Sequence, residues 1–285
     1  MRIFITGVTG FIGRNLYEYL KKNNQYKLIC PKHKELELLD LNSLENFFKK
    51  NKIDIVVHCA TLGVKRTSNK PGLLEPNLRM FLNLIKCKKY YKKMIFAGSG
   101  AEYDKSKNIT KIKETEFGKK IPKDPYGFYK YICSKIIEKE DNIINLRLFG
   151  IFGKYEDYKT RFISDAIWRA VNKKPIVINK NVVFDYLYIE DLVKIIEYFI
   201  LNKAKYKFYN VGSGKNIDLL GLAKKISRIS PNKPKIIVKN SKLGNEYTCN
   251  NDRMLAETKT ERFRDIDDTL KELYLWYETN RKNIK

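Results

Sequence analysis

Met1-Arg2-Ile3-Phe4-Ile5-Thr6-Gly7-Val8-Thr9-Gly10-Phe11-Ile12-Gly13-Arg14 opens the chain, and its reading decides the fold. Arg2 to Thr6 is short, β-branched and apolar, the pattern of a buried strand. It runs into three glycines and then a helical pattern. Phe11, Ile12, Leu16, Tyr17 and Leu20 share one face, and Arg14, Glu18, Lys21 and Lys22 the other. Strand, glycine turn and helix in that order make a phosphate cradle. Gly7 permits the tight turn, Gly10 lets backbone approach a pyrophosphate, and Gly13 lets the helix pack close to the strand. The helix N-terminus would add unpaired N–H groups and positive dipole. The spacing is Gly-x-x-Gly-x-x-Gly rather than Gly-x-Gly-x-x-Gly. The expectation is a dinucleotide site built on Gly7, Thr9, Gly10, Phe11, Ile12 and Gly13.

The chain has 285 residues, enough for one large domain or a domain with a smaller lobe. No apolar run approaches membrane-spanning length, and the strand at the N-terminus leaves no room for a signal peptide. Five cysteines, scattered and without a Cys-x-x-Cys pair, imply reduced thiols in a cytoplasmic protein. With two histidines besides, no metal site is expected. The net charge of +25 invites a nucleic-acid reading. The lysines, however, are spread along the chain among Asn, Ile and Tyr, with no basic tail and no nucleic-acid motif. Neither nucleic acid nor membrane is an expected partner; an anionic nucleotide substrate suits the charge as well.

Residues 26–30 read as the second strand. An acidic residue near the end of this strand bonds the adenosine ribose in NAD-binding units. Here Cys30 and Pro31 stand near that place, followed by Lys32, His33 and Lys34. These favour a 2′-phosphate, hence NADP(H) over NAD(H). Asp40, with Leu41, closes a short apolar stretch; its carboxylate either accepts from the adenine amino group or caps a helix. Asn42 or Ser43 can cap the helix 44–51. Residues 53–59 form a buried strand that closes in Ala60 and Thr61, small residues where cofactor backbone would lie. An amphipathic helix (77–88) and a strand (93–97) follow, the latter ending in Gly98-Ser99-Gly100-Ala101-Glu102-Tyr103. Strands alternating with helices at this interval mean an α/β fold, a doubly wound parallel Rossmann sheet. Pro125 starts a helix that puts Tyr126 and Lys130 on one face. From residue 150 the character changes, and a smaller C-terminal α/β lobe is expected. The cofactor domain would comprise residues 1–150, with 183–212 returning to it; residues 151–285 would mainly hold substrate.

A tyrosine four residues before a lysine is a weak signal alone, and Tyr131–Lys135 repeats it. The order of the parts is specific: the glycine turn, His58-Cys59-Ala60, Ser99, then Asp124-Pro125-Tyr126-Gly127-x-x-Lys130. Asp185-Tyr186-Leu187-Tyr188-Ile189-Glu190-Asp191-Leu192 and Asn210-Val211-Gly212-Ser213-Gly214 continue it. Over nearly its whole length the chain resembles the extended short-chain dehydrogenase/reductase family of nucleotide-sugar epimerases, dehydratases and reductases. In residues 28–54 and the serine loop it is most similar to the branch containing the GDP-L-fucose synthases.

The resemblance implies that Ser99, Tyr126 and Lys130 are catalytic. Tyr126 would pass a proton to the sugar oxygen as hydride moves, Ser99 would hydrogen-bond that oxygen, and Lys130 would hold the nicotinamide ribose and favour phenolate. The dehydratases of the family carry Asp-Glu after the catalytic hydroxyl, where this chain has Gly100 and Ala101. The epimerising cysteine and histidine of the fucose synthases align with Ala101 and Arg161. The implied activity is NADPH-dependent reduction of a 4-keto nucleotide-diphosphate sugar without C3/C5 epimerisation. An NAD-dependent 4-epimerase and a non-catalytic NADP-sensing protein are the alternatives. Gly150 stands where many relatives have a substrate-contacting asparagine, and Phe184 where many have a phosphate-binding arginine. Lys154, Arg161 and Arg253 remain as cations for the substrate diphosphate. Relatives pair two helices, here 77–88 and 127–139, across a two-fold axis, so a homodimer is implied, with Leu78, Phe81, Leu82 and Ile85 at its interface.

Overall fold

The computed structural model describes residues 1–63 and 72–282. In its first half, strands and helices alternate: β1 (Arg2–Thr6), α1 (Phe11–Leu20), β2 (Lys27–Ile29), α2 (Leu41–Lys50), β3 (Ile55–His58), α3 (Leu74–Lys86) and β4 (Lys93–Ser99). After β5 (Ile109–Ile112) come α4 (Pro125–Ile137) and β6 (Ile143–Leu148). The second half runs β7 (Ile151–Phe152), α5 (Phe162–Val171), β8 (Ile176–Ile178), β9 (Val183–Asp185), β10 (Leu187–Tyr188), α6 (Ile189–Leu201) and β11 (Phe208–Val211). It ends with β12 (Asn216–Asp218), α7 (Leu219–Ile229), β13 (Ile236–Val238), β14 (Tyr247–Cys249), α8 (Asp252–Thr258) and α9 (Ile266–Thr279).

Six strands form one parallel sheet in the order β11-β6-β4-β3-β1-β2. Side chains alternate across a strand, and β1 uses both faces. Ile3 and Ile5 enter one core with α1, α5 and α6, while Phe4 enters the other with Leu44, Phe48, Phe81 and Phe96. A sheet buried on both faces keeps every position of β3 and β6 inside, and the polar Asn145 and Arg147 of β6 are held there by bonds to Glu102. The winding reverses beside β1, which opens a crevice at the carboxyl ends of β1 and β3. β11 returns to the sheet edge beside β6, and Lys93 of β4 caps the C-terminus of α6 by donating to the carbonyls of Ile200 (3.1 Å) and Asn202 (2.9 Å).

The remaining strands make smaller units: a sheet β12-β9-β14-β5 and the pairs β10-β7 and β13-β8. These short strands and α8 carry little periodicity, whereas α7 is amphipathic and buries Leu219, Leu222, Ala223 and Ile226. Asp40, not Asn42 or Ser43, caps α2, accepting from the backbone N–H groups of both (3.0 and 3.3 Å). The cap precedes the apolar periodicity because the first helical residues face water.

Candidate active site

The glycine turn opens into a cavity of about 430 Å³. Gly7 has φ +69°, and a Cβ there would lie 2.7 Å from the Ala60 backbone, so only glycine fits between the ends of β1 and β3. At Gly13 a Cβ would collide with the Gly7 carbonyl, which is how α1 comes so close. Gly10 occupies the N-cap of α1 without a side-chain cap, leaving that helix end to a ligand. The Thr6 hydroxyl receives the N–H groups of Cys59 (3.2 Å) and Ala60 (3.1 Å), pinning the two strand ends together. Thr61 is fixed by Asn77 Oδ1 (3.1 Å) and Tyr129 Oη (2.9 Å).

Gly7, Thr9, Gly10, Phe11, Ile12, Gly13, Lys32, His33, Ala60, Thr61, Tyr126 and Arg161 all line this one cavity. Asp40 and Leu41 do not: the Asp40 carboxylate is spent on the α2 cap, and Glu37, Leu38 and Leu39 take the wall instead. Glu37 also pairs with His33 at 3.3 Å, so the end beyond β2 carries an acid beside its bases. Glu37 comes eight residues after Ile29, the last residue of β2, on an irregular loop, so it does not stand where a strand-end acid is expected.

Tyr126 lies in the first turn of α4, which Asp124 caps by accepting from Gly127 N–H (3.0 Å). Burial raises its phenol above the usual tyrosine range, while a hydrogen bond with Ser99 and then the charge of Arg161 pull it back. Ser99 ends β4; its hydroxyl accepts from Ala101 N–H (3.1 Å), and the turn continues through Gly100 and Ala101, both buried. Lys130 sits behind this wall rather than in it. Its ammonium bonds the Ala97 carbonyl and lies over the rings of Phe96 (4.3 Å) and Tyr129 (5.0 Å). Burial pulls it down to about 8. Arg161 supplies a positive charge that pulls on the Tyr126 phenol, while the Lys130 ammonium points to the sheet at the Ala97 carbonyl.

Among the candidate substrate cations, Arg161 is the one in the cavity, at the N-cap of α5. Lys154 is neutralised by Glu272 (3.0 Å) and Glu190 (3.5 Å). Arg253 turns away, donating to the Phe208 carbonyl (3.1 Å) under the Tyr206 ring. Gly150, with φ +44°, abuts the Asp185 carbonyl and leaves no room for a side chain. Beside Arg161 the cavity wall also holds Glu156, Asp157 and Thr160, which were not read from sequence. Glu156 is buried, accepts from the Ser164 hydroxyl (2.6 Å), and is pushed up by burial to about 7, against the pull of Arg161. A Glu-Asp pair in a polar loop gives no sequence signal of burial.

Among the described residues, no cluster of His, Cys, Asp and Glu could hold a metal, and no helix is long and apolar enough to cross a membrane. GDP-L-colitose synthase of Yersinia pseudotuberculosis is 26% identical over 253 residues, covering 80% of this chain and 82% of that protein. dTDP-D-glucose 4,6-dehydratase of Dictyostelium discoideum is 32% identical over 272 residues, covering 80% and 62%. Among solved structures, UDP-glucose 4-epimerase of Thermotoga maritima superposes with a TM-score of 0.86 at 22% identity, over 100% of both chains. An NADP-bound GDP-mannoheptose C4 reductase of Campylobacter jejuni gives 0.84 at 19%, over 97% and 98%. The glycine turn, the serine and the tyrosine–lysine helix all lie within residues 3–212, which match the family described as NAD dependent epimerase/dehydratase, and this chain belongs to that family.

Proposed function

We propose that the chain is an NADPH-dependent reductase of a 4-keto nucleotide-diphosphate sugar, a 6-deoxy hexose or heptose destined for a surface glycan, made in the cytoplasm. The observation that carries the reading is that Tyr126 and the glycine turn wall one cavity while Gly100 and Ala101 offer no acid beside them. The next residue, Glu102, is buried against Arg147 and is no substitute. Residues 1–150, with 183–212, would serve the cofactor and 151–285 the sugar nucleotide.

The cradle fits a dinucleotide: the Gly7 and Gly13 approaches exclude any side chain, and the uncapped α1 terminus faces phosphates. When bound, the nicotinamide supplies the hydride. Tyr126, held protonated by its raised pKa, donates its proton to the oxygen that becomes alkoxide. The Ser99 bond steadies the phenolate left behind, and Lys130 supplies a buried cation near the end of β4. Arg161 faces the substrate diphosphate.

An NAD-dependent 4-epimerase is the second reading, and Glu37 in the cavity wall favours it, because a carboxylate there suits free ribose hydroxyls. Reaction of a 4-keto sugar nucleotide in heavy water separates them. The proposal expects one NADP⁺ released per product and no solvent deuterium at C3 or C5, because Ala101 cannot titrate and Arg161 stays protonated. Conversion of a 4-hydroxy sugar nucleotide to its C4 epimer with no net cofactor oxidation or reduction supports the epimerase, because a carbonyl carbon has no configuration to invert. Stoichiometric deuterium at either carbon overturns reduction alone, and Glu156 would be the base to test. Cys133 of α4 is wholly buried in the core and does not line the cavity, so it is not the next base to test.

A further inference from the structure

His58 closes β3; it is buried and does not line the cavity. It is the register partner of Thr6 on β1, and the two side chains meet on one face of the sheet. The Thr6 hydroxyl and His58 Nδ1 lie 2.8 Å apart. The imidazole packs beside the Phe96 ring, with centroids 5.8 Å apart. Burial, and then the charge of Lys130, pull it down to about 3, so the ring is neutral near neutral pH. A neutral imidazole carries one N–H and one bare nitrogen, and the hydroxyl opposite decides which is which.

The Thr6 oxygen accepts from the N–H groups of Cys59 (3.2 Å) and Ala60 (3.1 Å). A threonine hydroxyl has two lone pairs and one proton, so these amides use its whole accepting capacity. What remains is the proton, and the partner within reach of it is His58 Nδ1. Nδ1 is therefore the bare acceptor, and Nε2 carries the ring proton. The opposite tautomer would aim three donors at one hydroxyl and leave its own proton without a partner. The two amides held in this way belong to cavity residues. The Ala60 nitrogen is also where a Cβ on Gly7 would strike, at 2.7 Å, so the cradle has no slack there.

We propose that His58 is a positioning residue for the cofactor wall: it takes the Thr6 proton on Nδ1 and so turns both Thr6 lone pairs onto the Cys59 and Ala60 amides. The role in binding rests on the cavity taking a nicotinamide dinucleotide, as read above. A valine at position 6 or a phenylalanine at position 58 would fill much the same space without fixing the wall.

The test begins with long-range ¹H–¹⁵N correlation of protein labelled with ¹⁵N-histidine, at neutral pH. The chain has two histidines, and His33→Gln leaves the lines of His58 alone. Nε2 correlates with both ring C–H protons and Nδ1 strongly with only one, so the spectrum names the tautomer. Nε2 should resonate as a protonated nitrogen and Nδ1 as a bare one; a proton on Nδ1 overturns the proposal. Thr6→Val should move the Nδ1 line, and Thr6→Ser, which keeps the hydroxyl, should return it. By fluorescence titration, Thr6→Val and His58→Phe should each weaken NADPH binding about tenfold, the worth of one hydrogen bond, and Thr6→Ser should restore it. Because the histidine acts through the threonine, adding His58→Phe to Thr6→Val should change nothing further. Unchanged binding in both single variants, or additive losses in the double variant, overturns the positioning role. The NMR arm needs no cofactor. If wild type binds neither NADPH nor NADH, the cofactor reading fails, and the Thr6–His58 arrangement still stands or falls on the Nδ1 line.

Discussion

Arg147 Nε donates to the Glu102 carboxylate at 2.7 Å with both side chains fully buried, and the same carboxylate accepts the backbone N–H of Ser99 at 3.0 Å. The serine is thereby fixed to the sheet interior. Ser134 and Asn145 complete the network, and the guanidinium lies over Phe117 (4.2 Å) and Phe208 (4.5 Å). Removing one partner strands a buried charge, which costs about 3–5 kcal/mol. Glu102→Ala should therefore lower the urea midpoint severely, while Glu102→Met combined with Arg147→Met should recover much of it. Equal losses in the two variants would contradict this.

Tyr126→Phe should reduce turnover by at least about a thousandfold, at the upper part of the general acid range, with NADPH affinity within about threefold. In the proposed reaction the phenol would act on substrate, while the glycine turn would carry the cofactor phosphates. Tyr131→Phe should remain active, because Tyr131 is buried against Phe117 at 5.1 Å. Initial rates and fluorescence titration measure both, and an active Tyr126→Phe would reassign the acid.

Lys32 and His33 line the same end of the cavity as Glu37. NADPH should bind more tightly than NADH, and Lys32→Ala should narrow the gap by about tenfold, the worth of one charge-assisted bond to phosphate. Fluorescence titration with both cofactors decides it. Tighter NADH binding by wild type would give Glu37, not Lys32, control of the ribose.

Glu156 titrates near 7 in the folded chain against 4.5 for a free glutamate. Between those values the folded state holds more protons, so this group's contribution to stability falls as pH rises through that window. Glu156→Gln keeps an acceptor for Ser164 and cannot ionise. It should match wild type near pH 5 and exceed it by about 2 kcal/mol at pH 8, read from urea midpoints. A constant difference across pH would place the titration elsewhere.

A homodimer is expected across α3 and α4. Phe81 is wholly inside the core and is not part of such a surface. Leu78, Leu82 and Ile85 are only partly covered, and Phe128 is exposed with Ile132 and Ile136 along the same side of α4. Light scattering should give twice 33.6 kDa at micromolar concentration, and Phe128→Glu should halve it. A wild-type monomer would refute this.

The doubly wound sheet and the glycine turn were legible in the letters, because both depend on local rules. A parallel strand buried on both faces runs mostly apolar, a helix repeats every 3.6 residues, and a turn at φ +69° needs glycine at Gly7. Tyr126 and Lys130 were legible because four residues make one helical turn. That same rule could not say that the two would part company, the phenol toward the cavity and the ammonium toward the Ala97 carbonyl. Only the tertiary structure decided which charges were free. Arg161, Lys154 and Arg253 are equivalent as letters, yet Lys154 meets Glu272 of α9, 118 positions away, and Arg253 meets a carbonyl of β11. Glu156 became a site residue in the same way. Its chemistry comes from burial and from neighbours brought by other strands and helices, and burial is a property of the packed chain that no local spacing encodes.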